Sequence, residues 1–245
     1  MKLTLAEPKV LKDCISIISD LVSETKITVK QDLLEIVSMD PANVAMILFR
    51  MKKSLFAEYE IQEETTISIN LNSFKQILRR VKPKDVLTLE QQENKLKIVM
   101  KSSSVKTYYL PLIELDDREQ RIPSLDFKSV VHIASSNLSE VIDDVDVVGE
   151  SISFETQDNK FKVSSAGDMT KVDIVYHQGE EVDIKSSENH KSKYSIEYLK
   201  KMIQGSKISD KAIIKFSNDY PLSLSFDQEE VVSLSFILAP RVDQD

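Results

Sequence analysis

The sequence predicts an α+β protein of two similar domains, each built from antiparallel sheets with two helices on one face. Three observations lead there. Leu71, Phe74, Ile77 and Leu78, set among Lys75, Arg79 and Arg80, return 125 positions later as Ile196, Leu199, Met202 and Ile203 beside Lys200 and Lys201. Repetition at about half the chain length marks a duplicated unit. Strict period-two alternation around short polar turns marks antiparallel hairpins with one buried face. Apolar residues at helical spacing occur in four segments, two per copy.

The first helical segment spans 8–24 and holds the only cysteine, Cys14, among Val10, Leu11, Ile15, Ile17 and Ile18. A lone cysteine excludes an intramolecular disulfide framework, and its setting makes it a small buried hydrophobe. Ile15, Leu21, Val22 and Glu24 are answered at offset 126 by Val141, Val147, Val148 and Glu150, while Ile27 and Val29 are answered at offset 125 by Ile152 and Phe154. In the second helical segment, Leu71, Phe74, Ile77, Leu78 and Val81 form one stripe. Lys75, Arg79, Arg80 and Lys82 fall on the remaining surface, facing away from the sheet.

Hairpins follow at Val86–Leu89 with Leu96, Ile98 and Met100, at Ile152 and Phe154 with Phe161 and Val163, and at Ile213–Phe216 with Leu222, Leu224 and Phe226. Asp85 before the first of these recurs as Asp210 before the last. The expected domains are 1–115 and 127–245, joined by a connecting loop at 116–126 that is charged, lacks periodicity and contains the structure-breaking Pro123. Leu115, Ile122, Pro123 and Leu125 in or beside this loop either pack beneath it or form a binding patch.

At 245 residues the chain is long enough for two self-sufficient cores. Its N-terminus lacks the apolar core of a secretory signal, and its longest apolar run, Val44 to Phe49, is too short to span a bilayer, so an intracellular protein is expected. The net charge of −8 opposes nucleic-acid binding as a sum. Distribution reverses that reading locally: 70–84 holds five basic residues and no acidic one, and 193–207 holds four basic residues against Glu197.

Catalytic chemistry finds no support. His132, His177 and His190 show no ligand spacing and are expected at the surface. Asp116-Asp117 and Asp143-Asp144 are adjacent pairs, and on a helix neighbours point about 100° apart, which prevents shared chelation of one ion. The four glycines are isolated and form no phosphate-cradling loop. No catalytic residue, metal or cofactor is expected.

Several motifs in fixed order carry a family resemblance. They are Ser38-Met39-Asp40-Pro41-Ala42-Asn43-Val44, the helix 71–78, the loop ending Ile122-Pro123, Tyr220-Pro221-Leu222, and Leu238-Ala239-Pro240-Arg241. Over essentially its full length the chain resembles the sliding clamps of the proliferating cell nuclear antigen family, most closely the archaeal type. The resemblance implies a six-domain ring of three subunits, identical or related, threaded by double-stranded DNA without sequence specificity. It implies a non-enzymatic processivity factor for the replicative DNA polymerase, with the clamp loader, ligase and flap endonuclease as further peptide-bearing partners. The compartment would be the cytoplasm, beside the nucleoid, in an archaeon, and the nucleus in a eukaryote.

By the same resemblance, phosphate contacts fall to Lys9, Lys12, Lys75, Arg79, Arg80, Lys82, Lys200, Lys201 and Lys207. A pocket for partner peptides falls to Met39, Val44, Ile122, Pro123, Pro221, Ile237, Leu238, Ala239 and Pro240. The strand near 107–112 of one subunit would pair with that near 171–176 of the next, through Tyr108, Leu110, Val172, Ile174 and Tyr176. On alternating strands the same residues also qualify as inward core.

Three departures stand out. Asn43 replaces a histidine of eukaryotic relatives, Gln120 replaces an apolar loop residue, and the segment 135–150 carries Glu140, Asp143, Asp144, Asp146 and Glu150 with no basic residue. The four helical segments together hold eleven basic and nine acidic residues, so weak and uneven contact with DNA is expected. A specialised subunit of a mixed ring, and a protein-binding scaffold that does not engage DNA, remain as alternatives.

Overall fold

Alternation on the predicted hairpin strands becomes one buried face and one more exposed face, and both copies of the repeat fold into the same string of elements. The computed structural model describes residues 1–116, 120–186 and 188–241. The first copy runs β1 (Lys2–Leu5), α1 (Lys9–Ile18), β2 (Glu24–Val29), β3 (Leu33–Met39), β4 (Ala45–Lys52), β5 (Glu58–Glu60), β6 (Thr65–Asn70), α2 (Leu71–Leu78), β7 (Val86–Gln92), β8 (Lys95–Lys101) and β9 (Val105–Pro111). The second runs β10 (Ser129–Ala134), α3 (Ser135–Asp146), β11 (Ser151–Gln157), β12 (Lys160–Ala166), β13 (Lys171–His177), β14 (Val182–Ser186), β15 (His190–Ser195), α4 (Ile196–Met202), β16 (Lys211–Phe216), β17 (Leu222–Gln228) and β18 (Val232–Leu238). A 3-10 turn at Ile203–Lys207 extends α4.

The chain forms two units. The first takes Met1–Pro41, Ile47–Arg121 and Gln228–Leu234, and the second takes Ala42–Met46, Ile122–Asp227 and the segment from Ser235. The units change over at Arg121–Ile122 and exchange two further short segments, and Asp117, Arg118 and Glu119 of the expected connecting loop lie outside the described residues. In the first copy β1 pairs with β5 and β7, β7 with β8, β8 with β9, and β2 with β3 and β6, all antiparallel. In the second, β10 pairs with β14 and β16, β16 with β17, β11 with β12 and β15, and β12 with β13. Five of these pairings recur, β1–β5, β1–β7, β7–β8, β2–β3 and β2–β6 matching β10–β14, β10–β16, β16–β17, β11–β12 and β11–β15, which is the structural content of the sequence repeat.

Helix α2 illustrates how the sequence sets these elements. The Asn70 side chain caps it by accepting the Ser73 amide at 2.9 Å, and Leu71, Phe74 and Leu78 are buried on its inner face. Eight residues are too few to hold a helix alone. Burial of the three side chains, worth about 1.5–3 kcal/mol each, supplies the rest. Helix α1 lies beside α2 and α3 beside α4. The second unit centres on an aromatic cluster in which Phe154 lies 5.5 Å from Phe161, 5.8 Å from Tyr194 and 6.2 Å from Phe216. At the position of Phe154 the first copy has Val29.

The hairpin turns use residues that tolerate a left-handed backbone. Asp158 and Asn159 stand at φ 50° and 58°, Glu93 at 46° and Asp219 at 46°. Asn43 also adopts φ 57°, a conformation open to asparagine because its short polar side chain bonds locally.

Three expectations need correction. Helix α1 stops at Ile18, where tight turns through Asp20 and Leu21 redirect the chain so that Leu21 and Val22 become core, and α3 stops at Asp146. Lys193 belongs to β15, so the last helix starts at Ile196. His190 is buried and not at the surface: its Nδ1 lies 3.0 Å from Ser129 Oγ, which also bonds Thr156 Oγ1 at 2.7 Å. Burial is tolerated because hydroxyls from β10 and β14, those of Ser129 and Ser186, supply partners for Nδ1.

Candidate nucleic-acid interface and peptide-docking surface

Helix α2 turns Asn72, Gln76, Arg79 and Arg80 outward, while Lys75 is drawn inward. Its ammonium donates to the Asp20 carboxylate at 2.6 Å and to the Ser16 carbonyl at 3.1 Å, leaving 15% of the side chain exposed. Lys12 donates to the Val81 carbonyl at 3.3 Å, and Lys9 pairs with Asp13 at 3.0 Å. Among the described residues, Arg79, Arg80, Lys82 and Lys84 make no ion pair, and all four are exposed. Asp85 organises the turn that presents them. Hydrogen bonds from Ser102 and from the Lys82 amide hold its carboxyl below the usual carboxylate range.

The second copy is neutralised further. Lys200 pairs with Asp146, a hydrogen bond that raises the lysine above its ordinary value, and Lys201 pairs with Glu197 at 2.9 Å while lying 5.5 Å from the Tyr198 ring centre. Lys207, on the 3-10 turn after α4, is exposed and makes no ion pair among the described residues. Glu140, Asp143 and Asp144 are exposed along α3. Among the described residues, four of the nine expected phosphate contacts therefore make neither an ion pair nor a side-chain hydrogen bond: Arg79, Arg80, Lys82 and Lys207. Lys84 joins them as a cation that the sequence reading counted but gave no role. Surface pairs such as Lys201–Glu197 are worth only about 0–1 kcal/mol and open readily to a competing phosphate, whereas the half-buried Lys75 has two acceptors to abandon.

Of the residues expected to line a peptide pocket, all but Met39 belong to the second unit, and Met39 ends β3 in the first and is half-buried. Ile122 and Pro123 are exposed, and Val44, Pro221, Ile237, Ala239 and Pro240 are half-buried. Leu238 departs from the expectation: with no exposure it is a core residue of β18 and offers nothing to a ligand. The Ala239 amide donates to the Val44 carbonyl at 2.9 Å. The end of the connecting loop is fixed beside Pro221, since Phe127 packs edge-on to Tyr220 at 6.0 Å and the Lys128 amide donates to Ser217 Oγ at 2.9 Å. Tyr220 itself is held by Tyr194, whose hydroxyl donates to its carbonyl at 2.8 Å.

Strands β9 and β13 are outer strands of their sheets. Tyr108, Val172, Ile174 and Tyr176 are half-buried on them, and Leu110 is buried in its own unit's core. The most exposed apolar residues there are ones that the sequence reading missed: Val105 at 64%, Tyr109 at 56% and Val175 at 45%. The opposite parity of each alternating strand was the available signal.

Family models agree with this duplication. The model for the N-terminal domain of proliferating cell nuclear antigen matches residues 1–120, and that for its C-terminal domain matches residues 121–241. The chain belongs to the proliferating cell nuclear antigen family. Its relatives include the DNA polymerase sliding clamp of Nanoarchaeum equitans, 34% identical over 249 residues and covering 99% of this chain and 100% of the relative. The DNA polymerase sliding clamp of Pyrococcus furiosus is 33% identical over 229 residues, 92% of each chain. A crystal structure of PCNA from Thermococcus kodakaraensis superimposes with a TM-score of 0.91 at 23% identity, over 98% of this chain and 99% of that one. At that identity the likeness speaks for the PCNA fold. Among the described residues no group of three His, Cys, Asp or Glu side chains could hold a metal ion, and no helix is long and apolar enough to cross a membrane.

Proposed function

We propose that this protein is a DNA sliding clamp that encircles duplex DNA, confers processivity on a replicative DNA polymerase and recruits replication and repair enzymes by docking their peptides. The observation that carries the DNA half of this reading is the unpaired cluster Arg79, Arg80, Lys82 and Lys84 on an otherwise acidic protein. Isolated cations of this kind suit phosphate oxygens and carry no base readout. Retention then comes from topology, with three copies closing through the outer strands β9 and β13 and removing unpaired edges. Ile122, Pro123, Pro221, Ala239 and Pro240 receive apolar peptide anchors from the polymerase, clamp loader, ligase and flap endonuclease. The chain performs no chemistry of its own and works in the cytoplasm.

Reversing Arg79, Arg80 and Lys82 to glutamate tests the reading. Primer extension by the cognate polymerase should lose its stimulation while light scattering still reports the trimer. Unchanged stimulation would favour a scaffold that does not engage DNA. A chain that trimerises only with a related subunit would favour the mixed ring, to which the acidic face of α3 gives weight.

A further inference from the structure

We propose that Arg241 is a positioning residue that holds the C-terminal arm of the docking surface in its receptive, extended form. The inference rests on the docking reading above. The arm leaves β18 at Leu238, and from Ala239 to Arg241 it has two main-chain donors, because Pro240 has no N–H. Ala239 donates to the Val44 carbonyl at 2.9 Å, and Arg241 donates to the Lys193 carbonyl on β15 at 2.7 Å. Two bonds of this kind at a chain's edge fray easily.

The Arg241 side chain adds a third anchor. Its Nη1 donates to the Glu150 carbonyl at 3.3 Å, and its Nη2 lies 3.8 Å from the Glu150 carboxylate. The same carbonyl accepts the Ile196 amide at 3.1 Å, so the guanidinium is tied where the connection from α3 to β11 meets the start of α4. All of these groups belong to the second unit.

The first copy shows what the clamp adds. There the chain leaving β9 crosses the equivalent strand β6 in the same way, with the Ile113 amide donating to the Ser68 carbonyl at 3.0 Å. Ser68 and Lys193 occupy matching positions of the repeat. Ile113 has an apolar side chain and makes no second anchor of this type, so the guanidinium bridge belongs to the second copy, where the arm carries the half-buried Ala239 and Pro240. A ligand peptide that packs on those residues meets an arm already ordered and avoids the entropy of immobilising it.

The probe is a short synthetic peptide with one aliphatic and two aromatic anchors at i, i+3 and i+4. Binding to the full chain is followed by fluorescence anisotropy, and hydrogen exchange is followed at the Arg241 amide. Arg241→Ala should weaken the probe about three- to tenfold and accelerate exchange at residue 241, with the thermal midpoint and trimer unchanged. Arg241→Lys should recover part of the affinity. Glu150→Ala, which keeps the carbonyl acceptor, should change affinity less than about twofold. Equal probe affinity for Arg241→Ala and the unmodified protein, or equally fast exchange in both, would overturn the inference alone. No probe binding to the unmodified protein would overturn the docking reading and the inference together.

Discussion

The Lys75 ammonium lies 2.6 Å from the Asp20 carboxylate, so a cation in the middle of the basic helix α2 is committed to joining α2 to the end of α1. A second bond, to the Ser16 carbonyl, fixes it further. Its role divides from that of Arg79, Arg80 and Lys82.

That division is measurable. Replacing Arg79, Arg80 and Lys82 by alanine should lower the slope of log affinity for duplex DNA against log salt by about 2–3, because each lost phosphate contact removes about 0.9. Lys75→Ala should leave the slope nearly unchanged and lower stability by about 0.5–1.5 kcal/mol in urea titrations. Equal slopes for the two variants would contradict the assignment.

Gly205→Ala should destabilise the second unit by about 1–3 kcal/mol. A Cβ at Gly205 would come within 2.2 Å of the Phe226 ring, which is fully buried and has nowhere to retreat. The strain falls on the 3-10 turn bearing Lys207, so differential scanning calorimetry should show a lower midpoint for this variant.

Truncation separates core from docking surface. Removing the chain from Leu238 onward deletes a fully buried side chain and should cost about 2–5 kcal/mol. Removing it from Pro240 onward should stay within about 1 kcal/mol of the full chain while weakening a docked peptide about tenfold or more. Calorimetry and anisotropy on the same two proteins check both statements.

Acid should destabilise the first unit through Glu35. Burial pushes this carboxyl up, but hydrogen bonds from Lys30 and Arg50, both 2.7 Å, outweigh it and leave the group below its ordinary value of 4.5. A lowered folded-state pKa contributes stability that is complete above that ordinary value and disappears as pH falls through the folded one. The urea midpoint should therefore drop below about pH 4.5, and less steeply in Glu35→Gln.

Much of this was legible in the sequence because its signals are local. Ile152 and Phe154 alternating into Phe161 and Val163 across a short polar turn marked a hairpin, and the spacing of Leu71, Phe74 and Leu78 marked the inner face of α2. The features that escaped depend on partners distant in the chain. Asp20 is 55 residues from Lys75, and Ser129 is 61 residues from His190, so neither the ion pair nor the buried imidazole leaves a local pattern. Leu110 and Leu238 show a second kind of failure. A period of two separates the faces of a strand but does not say which face meets the core.

Cys14, buried on α1, has a further use. Desolvation pushes its thiol well above the ordinary cysteine value, leaving almost no thiolate at neutral pH. The native chain is thus nearly silent to maleimides, and a cysteine introduced at the highly exposed Met169 or Val147 would accept a fluorophore at one defined address. Two such labels would allow single-molecule energy transfer to follow subunit exchange without first removing the native sulfur.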